Sequence, residues 1–303
     1  MDPWSSLTTA ALASSRPFVV HVNCLDLAES RASVGSGVLL DHYHVVSNSQ
    51  ITGSGGEITV HTWGDRKYRA TVVGEDPLYF LSVLRLETRL DLPLPSLHPV
   101  QPGMLALAVG NPFGTEWTAT LGMISAVERT IYRPERFPVD GLIITDTIIH
   151  PGNTGGALVD LEGHLTGVNG IPWIHGLSLA VQADVVGRIA NQIIEYGSAT
   201  HAWLGFSGQP EVVEPTLAKL LGLPADRGVS VGYVAPDGPG SRAGVQVMDL
   251  VVQVDGQQAT ALGAIRKVLS LHRPGEEVPL TVLRKGELVE LAFPVEEIPN
   301  LRE

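Results

Sequence analysis

Between Phe18 and Val181 the chain is cut by Gly, Pro, Asn and Asp into short β-type runs, and this segmentation points to an all-β barrel or sandwich. Phe18–Val22, Gly37–Leu40, Glu57–Trp63, Met104–Val109 and Leu142–Thr145 are examples. The 33 glycines and 21 prolines are spread through turns rather than gathered in one tract, so low complexity is not indicated. Helical periodicity first becomes convincing at Ala183–Tyr196, where Val185, Ile189 and Ile193 recur at four-residue spacing and Gly197 can close the helix.

After a short Gly-Ser-Ala-Thr linker the pattern changes to a smaller α/β unit. A helix around Glu214–Leu221 precedes a strand at Val229–Val234, a Pro/Gly turn, a strand at Leu250–Val254 and the Asp255-Gly256 turn. A second helix, Ala261–Leu271, carries Ile265, Val268 and Leu269 on one side, and two strands follow across Lys285-Gly286. No period of 20–50 residues recurs, which excludes a solenoid.

A chain of 303 residues, 44% hydrophobic, can bury a large core and has room for two or three globular units. Its net charge of -12 repels phosphate backbones and anionic lipid, and no Lys/Arg cluster offsets it, so no nucleic-acid partner is expected. Cys24 is the single cysteine, which rules out an intrachain disulfide and disfavours a thiolate zinc site. No metal-ligand set and no cofactor motif is read. Residues 1–15 lack the charge and apolarity of a signal peptide, and no run of about 18 apolar residues is present to span a bilayer.

Several motifs carry a resemblance covering nearly the whole chain. Gly35-Ser-Gly-Val-Leu-Leu40, Val109-Gly-Asn-Pro-Phe-Gly114, Thr120-Leu-Gly-Met-Ile-Ser-Ala126, Thr145-Asp146 and Pro151-Gly-Asn-Thr-Gly-Gly156 resemble, in order and spacing, the protease domain of the HtrA/Deg family. The resemblance implies a trypsin-like double β-barrel of two six-stranded barrels over residues 17–197. It also implies where a catalytic triad would stand. The family's nucleophile run reads N-P-G-N-S-G-G-P-L-V, and this chain has Thr154 in place of the serine. The family histidine follows a strand of the type I-L-T-N-x-H-V-V, against Val45-Val-Ser-Asn-Ser-Gln-Ile-Thr52 here, which puts Gln50 at that position. The family aspartate lies in D-P-x-x-D-L-A-x-L, against Asp76-Pro-Leu-Tyr-Phe-Leu-Ser-Val-Leu84, which puts Phe80 there.

Glutamine cannot take and return a proton near neutral pH, and phenylalanine offers no acceptor to an imidazole N–H. An alcohol without a base is a poor nucleophile, and the threonine methyl crowds the line of attack. With all three positions changed, the expectation is a pseudoprotease. The alternative is an endopeptidase of weak activity with Thr154 as nucleophile. Backbone N–H groups of Gly152, Asn153 and Thr154 are candidates for an oxyanion-hole-like cradle, although packing of the loop is reason enough to keep the glycine. His42, His44 and His150 are near enough in sequence to replace the missing base, and strand alternation puts His42 and His44 on one face without aiming either at Thr154. Asp76 reads as a cap of the turn at Pro77.

From His201 to Glu297 the chain resembles a PDZ domain of the HtrA type, through Trp203-Leu-Gly-Phe206, Gly228-Val-Ser-Val231, Gly238-Pro-Gly-Ser-Arg-Ala-Gly-Val245 and Asp249-Leu-Val-Val-Gln-Val-Asp-Gly256. The resemblance makes Trp203, Leu204, Gly205 and Phe206 a carboxylate-binding loop, with a peptide adding as a β-strand. Ile265 and Leu269 are candidates to line a pocket for an apolar C-terminal side chain, against the plain alternative of core packing. Trp63, Trp117 and Trp173 read as packing residues. Family members commonly trimerise through aromatic residues ahead of the barrels, and Trp4 and Phe18 stand there. The domain boundaries expected are an N-terminal segment 1–16 available for oligomerisation, the barrels 17–197, a linker 198–201, the PDZ domain 202–297 and a tail 298–303. The expected role is binding of peptides or exposed C-termini as adaptor, chaperone-like holder or regulator, alone, as a trimer or with an active paralogue. A purely structural oligomer with an empty groove is the third possibility. The compartment stays open: extracytoplasmic if an anchor has been removed, otherwise cytoplasmic.

Overall fold

Six strands form the first barrel: β1 (Val19–Asp26), β2 (Arg31–Leu39), β3 (His44–Asn48), β4 (Glu57–His61), β5 (Lys67–Asp76) and β6 (Leu81–Leu86), closed in the order β1-β2-β3-β6-β5-β4. Six more form the second: β7 (Leu105–Gly110), β8 (Thr118–Ile131), β9 (Val139–Thr145), β10 (Ala157–Val159), β11 (Leu165–Pro172) and β12 (Ser178–Gln182), closed as β10-β11-β12-β9-β8-β7. All ladders in both barrels are antiparallel. This is the fold class the sequence implies. The computed structural model describes residues 2–26, 31–53, 55–64, 66–112, 117–132, 137–172, 176–223 and 227–299.

The barrel interiors explain why some strands read as continuous apolar runs and others as alternating ones. Val45 and Val46 of β3 and Val83 and Leu84 of β6 are all fully buried, whereas β8 alternates half-buried with exposed positions over its first residues. Each such buried Val or Leu stabilises the fold by roughly 1.5–3 kcal/mol. Closure also removes free strand edges.

Helix α1 (Pro3–Ser15) precedes the barrels and was not legible as a helix. Asp2 caps it, its carboxylate accepting the Ser5 N–H at 3.0 Å, and Pro3 starts it. Only Ala11 and Ser15 are buried, so no apolar stripe announced it. Phe18, grouped above with Trp4 as an oligomerisation aromatic, is 3% exposed and belongs to the core; Trp4 is 61% exposed. After β3 comes the single turn α2 (Ser49–Thr52), and after β12 the helix α3 (Ala183–Tyr196), closed by Gly197 at φ 79°.

The chain forms two compact units, Met1–Ala199 and Thr200–Glu303. The second unit contains α4 (Pro215–Leu220), α5 (Pro239–Arg242), α6 (Leu262–Leu269) and an antiparallel sheet of β13 (Phe206–Val212), β14 (Arg227–Val234), β15 (Leu250–Val254), β16 (Gln257–Gln258), β17 (Glu277–Arg284) and β18 (Glu287–Pro294). The sheet runs β13-β14-β15-β17-β18, with β16 paired to β15. Asp255-Gly256 and Lys285-Gly286 all have positive φ, the requirement of a two-residue hairpin turn of the primed type. The ends of the unit are tied together where Ala202 bridges Glu297 and the Ile298 N–H donates to His201 O. Among the described residues no helix is long and apolar enough to cross a membrane.

Candidate functional site

Backbone hydrogen bonds tie together segments that carry the positions the resemblance assigns to a triad, Ser49 to Phe80 and Ser36 to Thr154. Gln50 stands on α2, exposed, its backbone N–H held by the Asn48 side chain at 2.9 Å. Phe80 stands just before β6, and its carbonyl accepts the Ser49 N–H at 2.9 Å, which locks the two segments together. The turn leading to Phe80 is capped by buried Asp76, whose carboxylate accepts the N–H groups of Leu78 and Tyr79, each at 2.9 Å. Phe80 is half-buried at φ 56°, a left-handed state that Asp and Asn tolerate better than an aromatic residue does.

Thr154 is 7% exposed and sits in the loop before β10. Ser36 of β2 pins that loop across the barrel interface. Its N–H donates to Thr154 O at 3.0 Å, its hydroxyl donates to Gly152 O at 2.7 Å, and the Asn111 N–H donates to its hydroxyl at 2.8 Å. A Cβ on Gly152 would lie 2.2 Å from Pro112 Cα, so the loop can press against the strand β7 turn only with glycine there. Asn153 is wholly buried, its side-chain oxygen accepting from Thr118 at 2.9 Å. Its N–H closes a short 3-10 turn onto His150 O at 2.8 Å, so this donor is engaged within the loop.

Neither His42 nor His44 serves Thr154. His42 lies in the bend ahead of β3 rather than in the strand, and its Nδ1–H donates to Leu90 O at 2.8 Å. His44 is paired with Asp41 at 2.8 Å. His150 is exposed. Among the described residues no hydrogen bond joins the Thr154 hydroxyl to an imidazole or a carboxylate. A cavity of about 290 Å³ is lined by Asn48, Tyr79, Phe80, Leu142, Gly170 and Ala180; of the three assigned positions Phe80 alone lines it. Phe80 lines this space and does not fill it. Burial, with the negative charge of Asp140 adding to it, drives the Tyr79 phenol well above its ordinary range, so it is a neutral wall residue.

Tryptophan packing is as expected where it is described. Trp63 and Trp117 meet edge to face at 4.9 Å, Arg16 lies 4.5 Å over Trp63, and the Trp117 indole N–H donates to Val19 O. Trp173 lies outside the described residues.

In the second unit the Trp203–Phe206 segment is fixed by its backbone. Trp203 N–H donates to Glu296 O, while the carbonyls of Leu204 and Gly205 accept from Gly240 and Ala235 at 3.1 and 2.7 Å. Gly205 has φ 64°, and a Cβ there would meet Pro239 Cδ at 2.7 Å. Leu204 and Phe206 are 3% and 7% exposed. Ile265 and Leu269, expected to line a side-chain pocket, are both wholly buried in the core cluster that also holds Leu204 and Phe206. Their four-residue spacing puts them on the inner stripe of α6, so their side chains serve packing. What remains open is the outer edge of β13, a terminal strand of the sheet whose residues beyond Phe206 are exposed or half-buried.

Two closed barrels with a loop clamped between them, followed by a sheet with a free edge beside a glycine turn, define a trypsin-like peptidase fold joined to a PDZ domain. Models of the trypsin-like peptidase domain and of the PDZ domain match residues 35–168 and 209–295 respectively. Over 282 residues the chain is 33% identical to the probable periplasmic serine endoprotease DegP-like of Halomonas elongata, covering 90% of this chain and 58% of that protein. To the periplasmic serine endoprotease DegP of Salmonella typhimurium it is 30% identical over 267 residues, covering 85% and 55%. The solved structure titled HtrA-type protease AlgW with tripeptide matches with a TM-score of 0.75 at 31% identity, over 96% of this chain and 97% of that one. The chain belongs to the HtrA family. It spans a little over half the length of the curated relatives, 58% and 55% of the two named.

Proposed function

We propose that this chain is a proteolytically silent HtrA-family protein that captures peptides or exposed C-termini through its PDZ domain. The relatives named above are called endoproteases, so silence has to be argued from this chain's own residues. What carries the reading is the chemistry of the positions that the resemblance assigns, Gln50, Phe80 and Thr154, together with the lack, among the described residues, of a hydrogen bond from the Thr154 hydroxyl to a base. Phe80 at positive φ supports the reading, because the backbone state suits an aspartate and holds a residue with no acceptor. His42 and His44 are both committed elsewhere, which argues against rescue.

For the binding function, support comes from the free edge of β13 beside the fixed Leu204-Gly205 turn, the arrangement by which a peptide adds a strand while its carboxylate meets backbone N–H groups. With Ile265 and Leu269 in the core, an apolar last residue is carried by the resemblance to a PDZ domain alone. The periplasmic names of the relatives favour an extracytoplasmic setting, and exposed Trp4 and Leu7 on α1 favour self-association.

Hydrolysis of casein over a long incubation tests silence, with wild type compared with Thr154→Ala and with Gln50→His/Phe80→Asp/Thr154→Ser. We expect wild type to match the Thr154→Ala background. Cleavage that disappears in Thr154→Ala would establish the alternative, an endopeptidase working through Thr154. Capture is tested with peptides ending in an apolar residue, as free acid and with one residue added beyond it; equal affinity for both forms would remove the C-terminal mode.

A further inference from the structure

We propose that His98, Asp160 and His164 form a binding site for a divalent transition cation of the zinc class, on the second barrel and apart from the Thr154 loop. The three side chains come from two segments far apart in the chain. One Asp160 oxygen, Oδ2, faces both imidazoles: it lies 3.0 Å from His98 Nδ1 and 3.1 Å from His164 Nδ1. All three ligand atoms lie within 4.8 Å of one another. Two ligands that share a tetrahedral ion at about 2.0–2.2 Å are about 3.3–3.6 Å apart, so the two oxygen–nitrogen separations of 3.0 and 3.1 Å need only a small side-chain adjustment to bring the set around an ion.

The scaffold around these atoms is fixed before any ion arrives. The second Asp160 oxygen, Oδ1, accepts the N–H groups of Glu162 and His164 at 3.0 and 2.9 Å, which orients the carboxylate and leaves Oδ2 for the imidazoles. The Asp160 side chain is 1% exposed. On the other segment, Leu97 bridges Leu165, the Leu165 N–H donates to Ser96 O, and the His98 N–H donates to Leu165 O. The two rings are 48% and 39% exposed, with centroids 5.4 Å apart, so an ion can enter from solvent and keep water in its remaining positions. On binding, each neutral ring gives up its Nδ1 proton and takes one at Nε2, the nitrogen on the far side of the ring.

Two imidazoles and one carboxylate select among cations. Imidazole suits Zn²⁺, Cu²⁺ and Ni²⁺, whereas Mg²⁺ and Ca²⁺ require oxygen-rich shells. An ion here would clip the segment joining the two barrels to the β10–β11 hairpin. The simpler role for the cluster is hydrogen bonding alone, in which both rings donate to Asp160, and the test has to separate the two.

Zinc binding to the full chain, free of any oligohistidine tag, is measured by calorimetry, and Co²⁺ absorption reports the coordination. The comparison includes His98→Ala, His164→Ala and His272→Ala; His272 contacts Asp255 and Glu276 in the other unit and is the control for a generic imidazole beside carboxylates. The expected result is saturable binding of one ion per chain, weakened at least about tenfold in His98→Ala and in His164→Ala and unchanged in His272→Ala, with no response to Mg²⁺. Circular dichroism confirms that each variant is folded, which the exposure of His98 makes secure for that position. Absence of saturable zinc binding in wild type, affinity unchanged by both barrel substitutions, or loss in His272→Ala alone would each overturn the assignment.

Discussion

The hydroxyl of Ser36 accepts the Asn111 N–H and donates to Gly152 O, while the Ser36 N–H goes to Thr154 O, so one small residue on β2 gathers three segments of the barrel unit. Ser36→Ala strands the buried Asn111 N–H and the part-buried Gly152 carbonyl together, and we expect it to destabilise the unit by about 1–3 kcal/mol, read as a lower denaturant midpoint at unchanged slope. A second residue ties stability to pH. His21 is buried, its Nδ1–H donates to Asn111 O at 2.9 Å, and burial lowers its pKa below the ordinary histidine value, against the raising effect of its backbone hydrogen bonds. The folded state therefore holds the ring neutral where the unfolded chain takes a proton. Stability from this group is present above about pH 6.5 and is lost as pH falls through the lowered folded value, with a slope of at most about 1.4 kcal/mol per pH unit. Unfolding at pH 5.5 and 7.5 should show a larger drop for wild type than for His21→Gln; equal drops would clear His21 of the effect.

Elements were legible in proportion to how much of their stability is local. Helix α3 lies where the apolar stripe and Gly197 put it, and the Asp255-Gly256 and Lys285-Gly286 turns form where their dipeptides demand. Helices α1, α2 and α5 carry no such signal: α1 buries Ala11 and Ser15 rather than a stripe of large apolar side chains, and α2 and α5 are single turns, α5 inside a Pro/Gly turn. Helix α6 forms where its spacing predicts, but spacing alone does not tell a core face from a groove, and of those two readings of Ile265 and Leu269 burial favours the core. The Leu204-Gly205 turn gives the prediction at this scale. Gly205→Ala forces a side chain into a left-handed position against Pro239, and we expect a loss of about 1–3 kcal/mol in the second unit together with weaker peptide capture. Calorimetry and a peptide titration on the same sample check both, and an unaltered affinity would separate the turn from recognition.

Over the whole chain, each unit closes its own core: Ala106, Ile124, Ile143 and Leu158 pack in the second barrel, and Val231, Val251, Ile265 and Phe293 in the sheet unit. A fragment of residues 200–303 should therefore unfold cooperatively and keep its peptide affinity, which near-ultraviolet circular dichroism and titration would establish. The assignment of Gln50, Phe80 and Thr154 rests on flanks that are local in sequence. The Ser36 clamp and the His98–Asp160–His164 cluster were not legible there, because closure of barrel strands and a long-range bridge bring their members together. One consequence of the sheet's two free margins concerns crowding. An unpaired strand long enough to accept a peptide is also a template on which identical chains can stack into aggregates. Here the β13 margin carries Gly208, Pro210 and Glu211, and the β18 margin carries Glu287, Glu290 and Pro294. The prolines interrupt the ladder after a few residues, and the glutamates repel a second copy already burdened by a net charge of -12. The same strand thus admits a short guest and discourages its own kind.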